Sequence, residues 1–344
     1  MSKMTIKVLA AHLGLSISTI SKALKDSHEI STATKSKVLQ AAAEMGYIPN
    51  PYASSLRKQK SKTIAVIIPE VSDSFFAQAI NGIETVATLM QYHTLIYLSH
   101  DSFQVENEII KHCSNGRVDG VLISVSKQTT DTLHFDLLKK CNIPFVFFDR
   151  DLENYEAPKV LTNDFESGYL AARHLFSMGC SHPVFLSPSD SLSVCNRRYD
   201  GFVKAYEEAG LINQPNNFKV VDCHQQPENI TSQIIQILQK DSNIAGIIAS
   251  VEDLAIHAYL ACLELKLQIP NDIQLIGFTS IKTADLFSPT LTTITQPAFE
   301  IGNQAATILF ELLDNKGAQS SLYPIILPST LIHRASTGNL TKNA

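Results

Sequence analysis

Polar and aromatic side chains follow several apolar, strand-like segments of this 344-residue chain. A side chain in that position lies at the carboxyl end of the strand, and one further candidate, an arginine, begins a predicted helix. The candidates for binding are Ser72, Asp73, Phe75, Asp149, Arg198, Glu252, Phe278 and Thr279. Carboxylates accept paired hydrogen bonds from neighbouring hydroxyls, and arginine donates a planar fork to oxygen atoms. The set therefore predicts a site for a small hydroxyl-rich molecule, with the two phenylalanine rings on its apolar face.

Several of these residues also have ordinary structural explanations. Asp149 precedes Arg150, and the two can form a surface ion pair. Glu252 can complement the positive end of a helix dipole, and Phe75 can belong to the core. The sequence leaves both interpretations open for each residue.

Strand-like and helix-like segments alternate from Thr63 onward, and the alternation begins again near Val160. Such alternation is typical of parallel sheets covered by helices on both faces, so the chain predicts two doubly wound α/β lobes. Ligands bind at the carboxyl ends of the strands in such sheets. Two facing lobes therefore predict one crevice that receives the candidate side chains from both.

The first fifty residues have a different pattern, with three short helical segments. Apolar residues recur at helical spacing in the first and third segments: Val8, Leu9 and Leu13, and Val38, Leu39, Ala42 and Met45. In the second, apolar positions alternate with an outer face formed by Ile17, Ser18, Ser21 and Lys22. Three helices of this size predict a helix-turn-helix module, whose second helix can enter the major groove of DNA.

Charge is distributed unevenly along the chain. The whole sequence has 28 basic and 33 acidic residues, but residues 1–62 contain ten basic and three acidic ones, a net charge of +7. The remaining 282 residues therefore carry 18 basic and 30 acidic side chains, a net charge of −12. A basic head before an acidic body concentrates attraction for phosphates at one end.

The head resembles the DNA-binding region of the lactose-repressor (LacI/GalR) family of bacterial transcription regulators. The matching pieces share one ungapped register and are Thr5-Ile6-x-x-x-Ala10, Ser16-x-x-Thr19-Ile20-Ser21-Lys22, Ile30-Ser31-x-x-Thr34, Val38, and Gly46-Tyr47-Ile48-Pro49-Asn50-x-x-Ala53-x-x-Leu56. The chain departs from the family at Val8, where an acid is usual, and at Lys22, where arginine is usual. Lysine is a point charge without the fork of arginine.

The resemblance implies a DNA-binding surface and a hinge helix. The expected DNA-binding residues are Thr5, Ser16, Ile17, Ser18, Thr19, Ser21, Lys22, Tyr47, Asn50, Ala53, Leu56 and Arg57. Among them Ile17, Ser18 and Lys22 are expected to face base edges. In the family, residues at the positions of Ala53 and Leu56 enter the minor groove from the hinge helix, and the leucine separates a base step. A flexible polar linker is the alternative for this segment.

The second part resembles the two-lobed fold of periplasmic sugar-binding proteins, which the same family shares. The resemblance includes Gly82-Ile83, Val118-Asp119-Gly120, Asn163-Asp164, Arg198-x-x-Gly201-Phe202 and Leu291-Thr292-Thr293-Ile294. The expected domains are the head at 1–49, the hinge and linker at 50–62, and an effector-binding and dimerisation core at 63–344. The expected N-lobe is about 63–161 plus 293–322, and the C-lobe is about 162–292 plus 323–344.

Other chemistry receives no support from motifs. The sequence contains no G-x-G-x-x-G, G-x-x-x-x-G-K-[ST], H-E-x-x-H or G-x-S-x-G pattern, and its six cysteines have no C-x-x-C spacing. We therefore expect no catalytic residues, no cofactor and no metal site. No apolar run reaches eighteen residues and no signal peptide is visible, so we expect a cytoplasmic protein without membrane contact.

Together these observations predict a regulator that binds a pseudo-palindromic operator in double-stranded DNA as a homodimer. A small, sugar-like effector between the lobes would control it, and repression is the expected activity. Two alternatives share the two-lobed fold: a solute-binding protein, and an enzyme of sugar or nucleotide metabolism. The basic head argues against the first, and the absent catalytic motifs argue against the second.

Overall fold

A computed structural model describes residues 4–47, 60–152, 155–211, 217–223, 227–314 and 323–338. The chain divides into two compact units, residues 1–61 and residues 62–344. None of the helices in the described ranges is both long and apolar enough to cross a membrane.

The head contains the three predicted helices. They are α1 (Ile6–Leu13), α2 (Ile17–Leu24) and α3 (Thr32–Glu44). Each begins at a hydroxyl N-cap, because Thr5, Ser16 and Ser31 accept hydrogen bonds from the backbone N–H groups of Val8, Thr19 and Thr34. Such caps satisfy amides that have no partner within the helix.

A small apolar core holds the three head helices together. Its fully buried members are Leu9, Ile20 and Val38, one from each helix. Val8 and Leu39 were expected on the apolar faces but are 47% and 54% exposed. A helix of 8 to 13 residues buries only a narrow stripe against two neighbours, so the positions adjacent to Leu9 and Val38 face solvent.

The N-lobe is built around a six-stranded parallel sheet. In chain order its elements are β1 (Thr63–Ile68), α4 (Ser74–Leu89), β2 (His93–Leu98), α5 (Phe103–Cys113), β3 (Gly120–Ile123), α6 (Leu133–Lys140), β4 (Phe145–Phe148) and β5 (Lys159–Thr162). One later strand, β11 (Ile325–Leu327), completes the order β11-β5-β4-β3-β1-β2. All five pairings are parallel, as the sequence predicted.

The C-lobe repeats this plan. Its elements are α7 (Asp164–Ser177), β6 (Pro183–Ser187), α8 (Ser193–Glu208), β7 (Phe218–Val220), α9 (Pro227–Lys240), β8 (Gly246–Ala249), α10 (Glu252–Glu264), β9 (Gln274–Phe278), a 3-10 turn (Ala284–Leu286), β10 (Thr292–Thr295) and β12 (Thr330–Ile332). The sheet order is β12-β10-β9-β8-β6-β7. Among these strands only β10 and β12 pair in antiparallel orientation. The helix α11 (Ala298–Leu313) packs in the N-lobe core.

The chain crosses between the lobes three times, and two crossings differ from expectation. The first follows β5 near Thr162, as expected. The second follows β10, because Thr293 and Ile294 still pair with β9 in the C-lobe sheet, although the expected N-lobe began at 293. The third follows β11, which pairs with β5 in the N-lobe sheet, so the expected assignment of 323–327 to the C-lobe is wrong. Sheet pairing, which sequence alone does not reveal, decides both boundaries.

Two glycines allow the first two C-lobe helices to approach closely. A Cβ at Gly201 of α8 would lie 1.9 Å from the carbonyl oxygen of Phe165, and one at Gly168 of α7 would lie 1.8 Å from that of Arg198. The backbones are therefore in contact, which holds the start of α8 against the start of α7. Arg198 and Asp164 meet there.

We expect Gly201→Ala to lower the unfolding free energy of the core by about 3 kcal/mol, because the added methyl meets backbone that has no room to move. Urea denaturation followed by circular dichroism measures this. The neighbouring exposed substitution Asp200→Ala is the control, and it should change stability by less than about 0.5 kcal/mol. Equal effects of the two changes would contradict the close approach.

Candidate functional site

A cavity of about 230 Å³ lies between the two lobes, at the carboxyl ends of their strands. Ser72 and Asp73 line it from the loop between β1 and α4, and Glu252 lines it from the start of α10. A narrower space of about 30 Å³ adjoins it and shares Asp73 and Glu252. The other candidates from the sequence line this space: Phe75, Asp149, Arg198, Phe278 and Thr279. The structure thus brings all eight together, whereas their binding of a ligand stays a prediction.

Glu252 connects the lobes directly. Its carboxylate accepts hydrogen bonds from the backbone N–H of Ser74 at 3.1 Å and from the Ser74 hydroxyl, both in the N-lobe. The Thr279 hydroxyl of the C-lobe donates to the same carboxylate. Gln78 adds a second connection by donating to the Ser280 carbonyl oxygen at 2.7 Å. The structure is therefore a closed arrangement in which α4 and α10 meet at their N-terminal ends.

Two other carboxyl groups of the site, those of Asp73 and Asp149, lie in surroundings that disfavour their charged form. Burial, followed by the charge of Glu252, raises the pKa of Asp73 from 3.8 to about 6. Burial raises the pKa of Asp149 to about 6 as well, although Arg150 and Arg198 oppose the shift. Groups with such shifts in a cleft are typical of binding sites. Asp73 also caps α4, accepting from the Phe75 N–H at 2.8 Å.

The guanidinium group of Arg198 contacts mainly other residues of the protein. Its Nε donates to Asp164 at 2.8 Å, its Nη1 donates to the Ser250 carbonyl oxygen at 2.6 Å, and its guanidinium lies 4.4 Å from the centre of the Phe278 ring. These two nitrogens therefore already donate to protein oxygens, although the sequence analysis expected the guanidinium group to donate to a ligand. Arg198 instead fixes the position of Phe278 and of the end of β8.

Five charged residues of the cavity were not among the candidates: Glu70, Asp101, Lys127, Arg150 and Asp253. Arg150 donates to Asp101 at 2.6 Å and lies 3.8 Å from Asp149, so Asp149-Arg150 is a partly buried network and not a surface pair. Asp101 also accepts from the Lys127 N–H at 3.0 Å. Two of them could have been predicted from the sequence, because Asp101 follows β2 and Lys127 follows β3.

A buried acid orders the loop that carries Lys127. Glu106 of α5 is fully buried and accepts hydrogen bonds from the Ser126 N–H, the Thr129 hydroxyl and the His134 ring nitrogen, at 2.7, 2.7 and 2.8 Å. A buried carboxylate with three donors is well satisfied. The loop after β3 is therefore part of a rigid wall of the cavity.

Four of the eight candidate DNA-binding residues that the structure describes are exposed: Thr5, Ser16, Ser18 and Lys22. Ser18 and Lys22 are exposed on α2, and Ser21 and Tyr47 are half-buried. Ser16 is occupied as the N-cap of α2 and also bonds the Thr19 hydroxyl, at 2.9 Å. The candidates Asn50, Ala53, Leu56 and Arg57 lie outside the described residues, as does the expected hinge helix.

Two candidates of the head differ in detail from expectation. Ile17 was expected on the outer face of α2, but it is half-buried and packs against the head core. Lys22 forms an ion pair with Glu29, and both side chains are about half exposed. An exposed pair of this kind is weak, so Lys22 can exchange Glu29 for a nucleic-acid acceptor.

The described residues contain no group of three or more His, Cys, Asp or Glu side chains arranged to hold a metal ion.

Comparisons with known proteins agree with this architecture. A family profile described as "Bacterial regulatory proteins, lacI family" matches residues 5–50, and one described as "Periplasmic binding protein-like domain" matches residues 172–337. A relative named "HTH-type transcriptional repressor PurR" from Photobacterium profundum is 30% identical over 321 residues, which cover 93% of this chain and 95% of the relative.

The chain belongs to the lacI family. It is accordingly a DNA-binding transcriptional regulator. A lacI-family regulator from Enterococcus faecium, solved with bound ribose, is 27% identical, with a TM-score of 0.70 and coverage of 81% of this chain and 100% of that one. The lac repressor dimer bound to operator has a TM-score of 0.84 at 21% identity, covers 98% of this chain and 100% of its own, and supports the fold.

We expect Asp149→Asn to stabilise the empty protein more at neutral than at acidic pH. The folded pKa of about 6 lies above the unfolded value of 3.8, so the wild type loses stability as pH rises through this interval and the neutral amide does not. The gain at about pH 7.5 relative to about pH 4.5 should be on the order of 1–3 kcal/mol. Asparagine also tolerates the positive φ of 62° at this position.

Urea denaturation at both pH values measures the difference. Asp200→Asn, an exposed change on α8, is the control and should behave like the wild type. A pH-independent difference for Asp149→Asn would show that its carboxylate is not held in an unfavourable environment.

Proposed function

We propose that this lacI-family regulator represses transcription by binding a pseudo-palindromic operator as a homodimer in the cytoplasm, under control of a small hydroxyl-rich effector in the cavity between its lobes. The observation that carries the proposal is the convergence of eight polar and aromatic residues, from both lobes, on a cavity and the narrow space that adjoins it, in a chain with a lacI-type head. The role involves no catalytic turnover. The head is proposed to span 1–49, the linker 50–62 and the core 63–344.

The surface of α2 is suited to the major groove. Ser18 and Lys22 are exposed on one face, while Ile20 and Ala23 are buried on the other. Short polar side chains let the helix approach base edges, and lysine donates to guanine acceptors. Ser16, Thr19, Ser21 and Tyr47 are proposed to contact phosphates. Leu56 is proposed to act in the minor groove from the linker.

The cavity is proposed to couple ligand to DNA through lobe closure. Ser74 and Glu252 meet across it, so a ligand that binds between them changes the relative stability of closed and open arrangements. Coupling of this kind typically amounts to roughly 1–3 kcal/mol between two sites. The ribose bound by the Enterococcus faecium relative supports a hydroxyl-rich effector.

Each lobe has an exposed apolar surface that supports dimerisation. In the N-lobe, Leu95 and Ile96 are 41% and 45% exposed on β2, which forms the edge of its sheet. In the C-lobe, Leu263 and Leu286 are 59% and 80% exposed and line a shallow groove with Phe287. Exposed edge strands and apolar patches are typical of surfaces covered by another chain.

We expect Lys22→Gln to weaken binding to the operator by about tenfold or more, and binding to random duplex much less, because a base contact carries specificity. The operator is first obtained by selection from random duplexes, and affinity is then measured by fluorescence anisotropy at several salt concentrations. Lys37→Gln, an exposed change on α3, is the control. Equal losses on both duplexes would exclude base reading by Lys22, and failure to select any sequence would contradict the proposed function.

We expect the double variant Ile96→Glu/Leu263→Glu to dissociate to monomers, because a charge placed on an apolar interface loses its solvation. Sedimentation velocity measures the molecular mass, and the monomer should also lose operator affinity. Leu170→Glu places the same charge at another exposed leucine, on α7, and should leave the dimer intact. A double variant with unchanged mass would rule out these two surfaces.

A further inference from the structure

The cavity has an excess of negative charge. It is lined by five carboxyl groups and by two cationic side chains, a balance of −3 when all are ionised. Arg150 is paired with Asp101, so these two cancel. Lys127 then faces four carboxyl groups: Glu70, Asp73, Glu252 and Asp253.

Helix dipoles compensate only part of this charge. Asp73 is the N-cap of α4, and Glu252 and Asp253 are the first two residues of α10. Each helix N-terminus is equivalent to about half a positive charge, so the two together supply about one. About two negative charges therefore remain uncompensated in a space that is partly closed from water.

The four carboxyl groups come from opposite sides of the cleft. Glu70 and Asp73 belong to the N-lobe, and Glu252 and Asp253 belong to the C-lobe. The inner pair is less accessible than the outer pair, because Asp73 is half-buried and Glu252 is 8% exposed, whereas Glu70 and Asp253 are exposed at the mouth. Closing the lobes therefore brings like charges towards one another, which costs free energy unless a cation separates them.

The titration of these groups agrees with mutual repulsion. The pKa of Asp73 is raised by burial and then by Glu252. Burial also raises the pKa of Asp253, and Glu70 and Glu252 raise it further, while His257 opposes the shift. Glu252 of the C-lobe thus disfavours ionisation of Asp73 in the N-lobe, and Glu70 of the N-lobe disfavours ionisation of Asp253 in the C-lobe.

We propose that the effector of this regulator is an amine-bearing sugar or polyol, whose ammonium group lies between the N-lobe acids Glu70 and Asp73 and the C-lobe acids Glu252 and Asp253. The inference rests on the proposed function and specifies its ligand class. An ammonium group donates three hydrogen bonds and pairs with carboxylates of both lobes, so it stabilises the closed arrangement. The hydroxyls of the ligand face Ser72 and Lys127, and Phe76 provides an apolar wall.

Size and charge exclude the main alternatives. A volume of about 230 Å³ is below the roughly 300–1,000 Å³ of pockets for drug-sized ligands, so the ligand is of monosaccharide size. A phosphorylated or carboxylated sugar adds negative charge to a negative cavity. A neutral sugar satisfies hydrogen bonds but leaves the facing carboxylates uncompensated.

The test compares matched pairs of ligands on the full-length protein at about pH 7, where an aliphatic amine next to hydroxyls is largely protonated. The probes are glucosamine with glucose, galactosamine with galactose, and mannosamine with mannose. N-acetylglucosamine is the control that keeps the nitrogen but removes its charge, and magnesium chloride alone tests for metal binding. Isothermal titration calorimetry gives the affinities, and thermal shift gives the stabilisation.

We expect at least one amine to bind about tenfold or more tightly than its neutral counterpart, in line with the strength of charge-assisted hydrogen bonds. The double variant Glu70→Gln/Asp253→Asn should lose this preference, so that it binds the amine and its neutral counterpart with equal affinity. Glu264→Gln, at the opposite end of α10, is the matched control and should keep the preference.

Three results would overturn the proposal. They are equal affinity for amines and neutral sugars, binding of magnesium without preference for amines, and no binding by any amine. Operator binding is measured separately without sugar, so a protein that selects a duplex but does not prefer amines refutes the ligand class and leaves the proposed function standing.

Discussion

The contact between Glu252 and Ser74 is the interaction on which the arrangement of the core depends. It joins the first residue of α10 in one lobe to the first residue of α4 in the other. The N-termini of both helices, with the positive ends of their dipoles, lie at this point, and the carboxylate accepts a hydrogen bond from the Ser74 N–H at the start of α4. The same carboxylate adds negative charge to a cavity that is already acidic, and closure is consequently sensitive to what the cavity contains.

The surroundings of that contact are rigid on both sides. In the C-lobe, the close approach of α7 and α8 at Gly168 and Gly201 places Arg198 against Asp164 and Phe278. In the N-lobe, the buried Glu106 holds the loop that carries Lys127. Rigid walls leave the relative position of the lobes as the variable that a ligand in the cavity can change.

Much of the site was predictable because strand ends are visible in a sequence. Apolar, β-branched runs locate buried strands, and residues that follow them must meet at one edge of a parallel sheet. This reasoning found Asp73, Asp149 and Glu252, and the same rule applied to β2 and β3 identifies Asp101 and Lys127. The sequence does not show that Asp164 and the Ser250 carbonyl oxygen already accept hydrogen bonds from two nitrogens of Arg198, because these contacts join residues far apart in the chain.

Composition and spacing alone predict the class of each segment: a basic three-helix head, followed by alternating strands and helices. These features are local, since they depend on composition and spacing over a few residues. The pairing of strands in the folded protein assigns each of the short strands β10, β11 and β12 to its sheet, and a sequence does not show this because such pairing joins residues far apart in the chain. The tertiary structure also determines that acids of the two lobes face each other, since their charges interact only when the lobes are brought together in space.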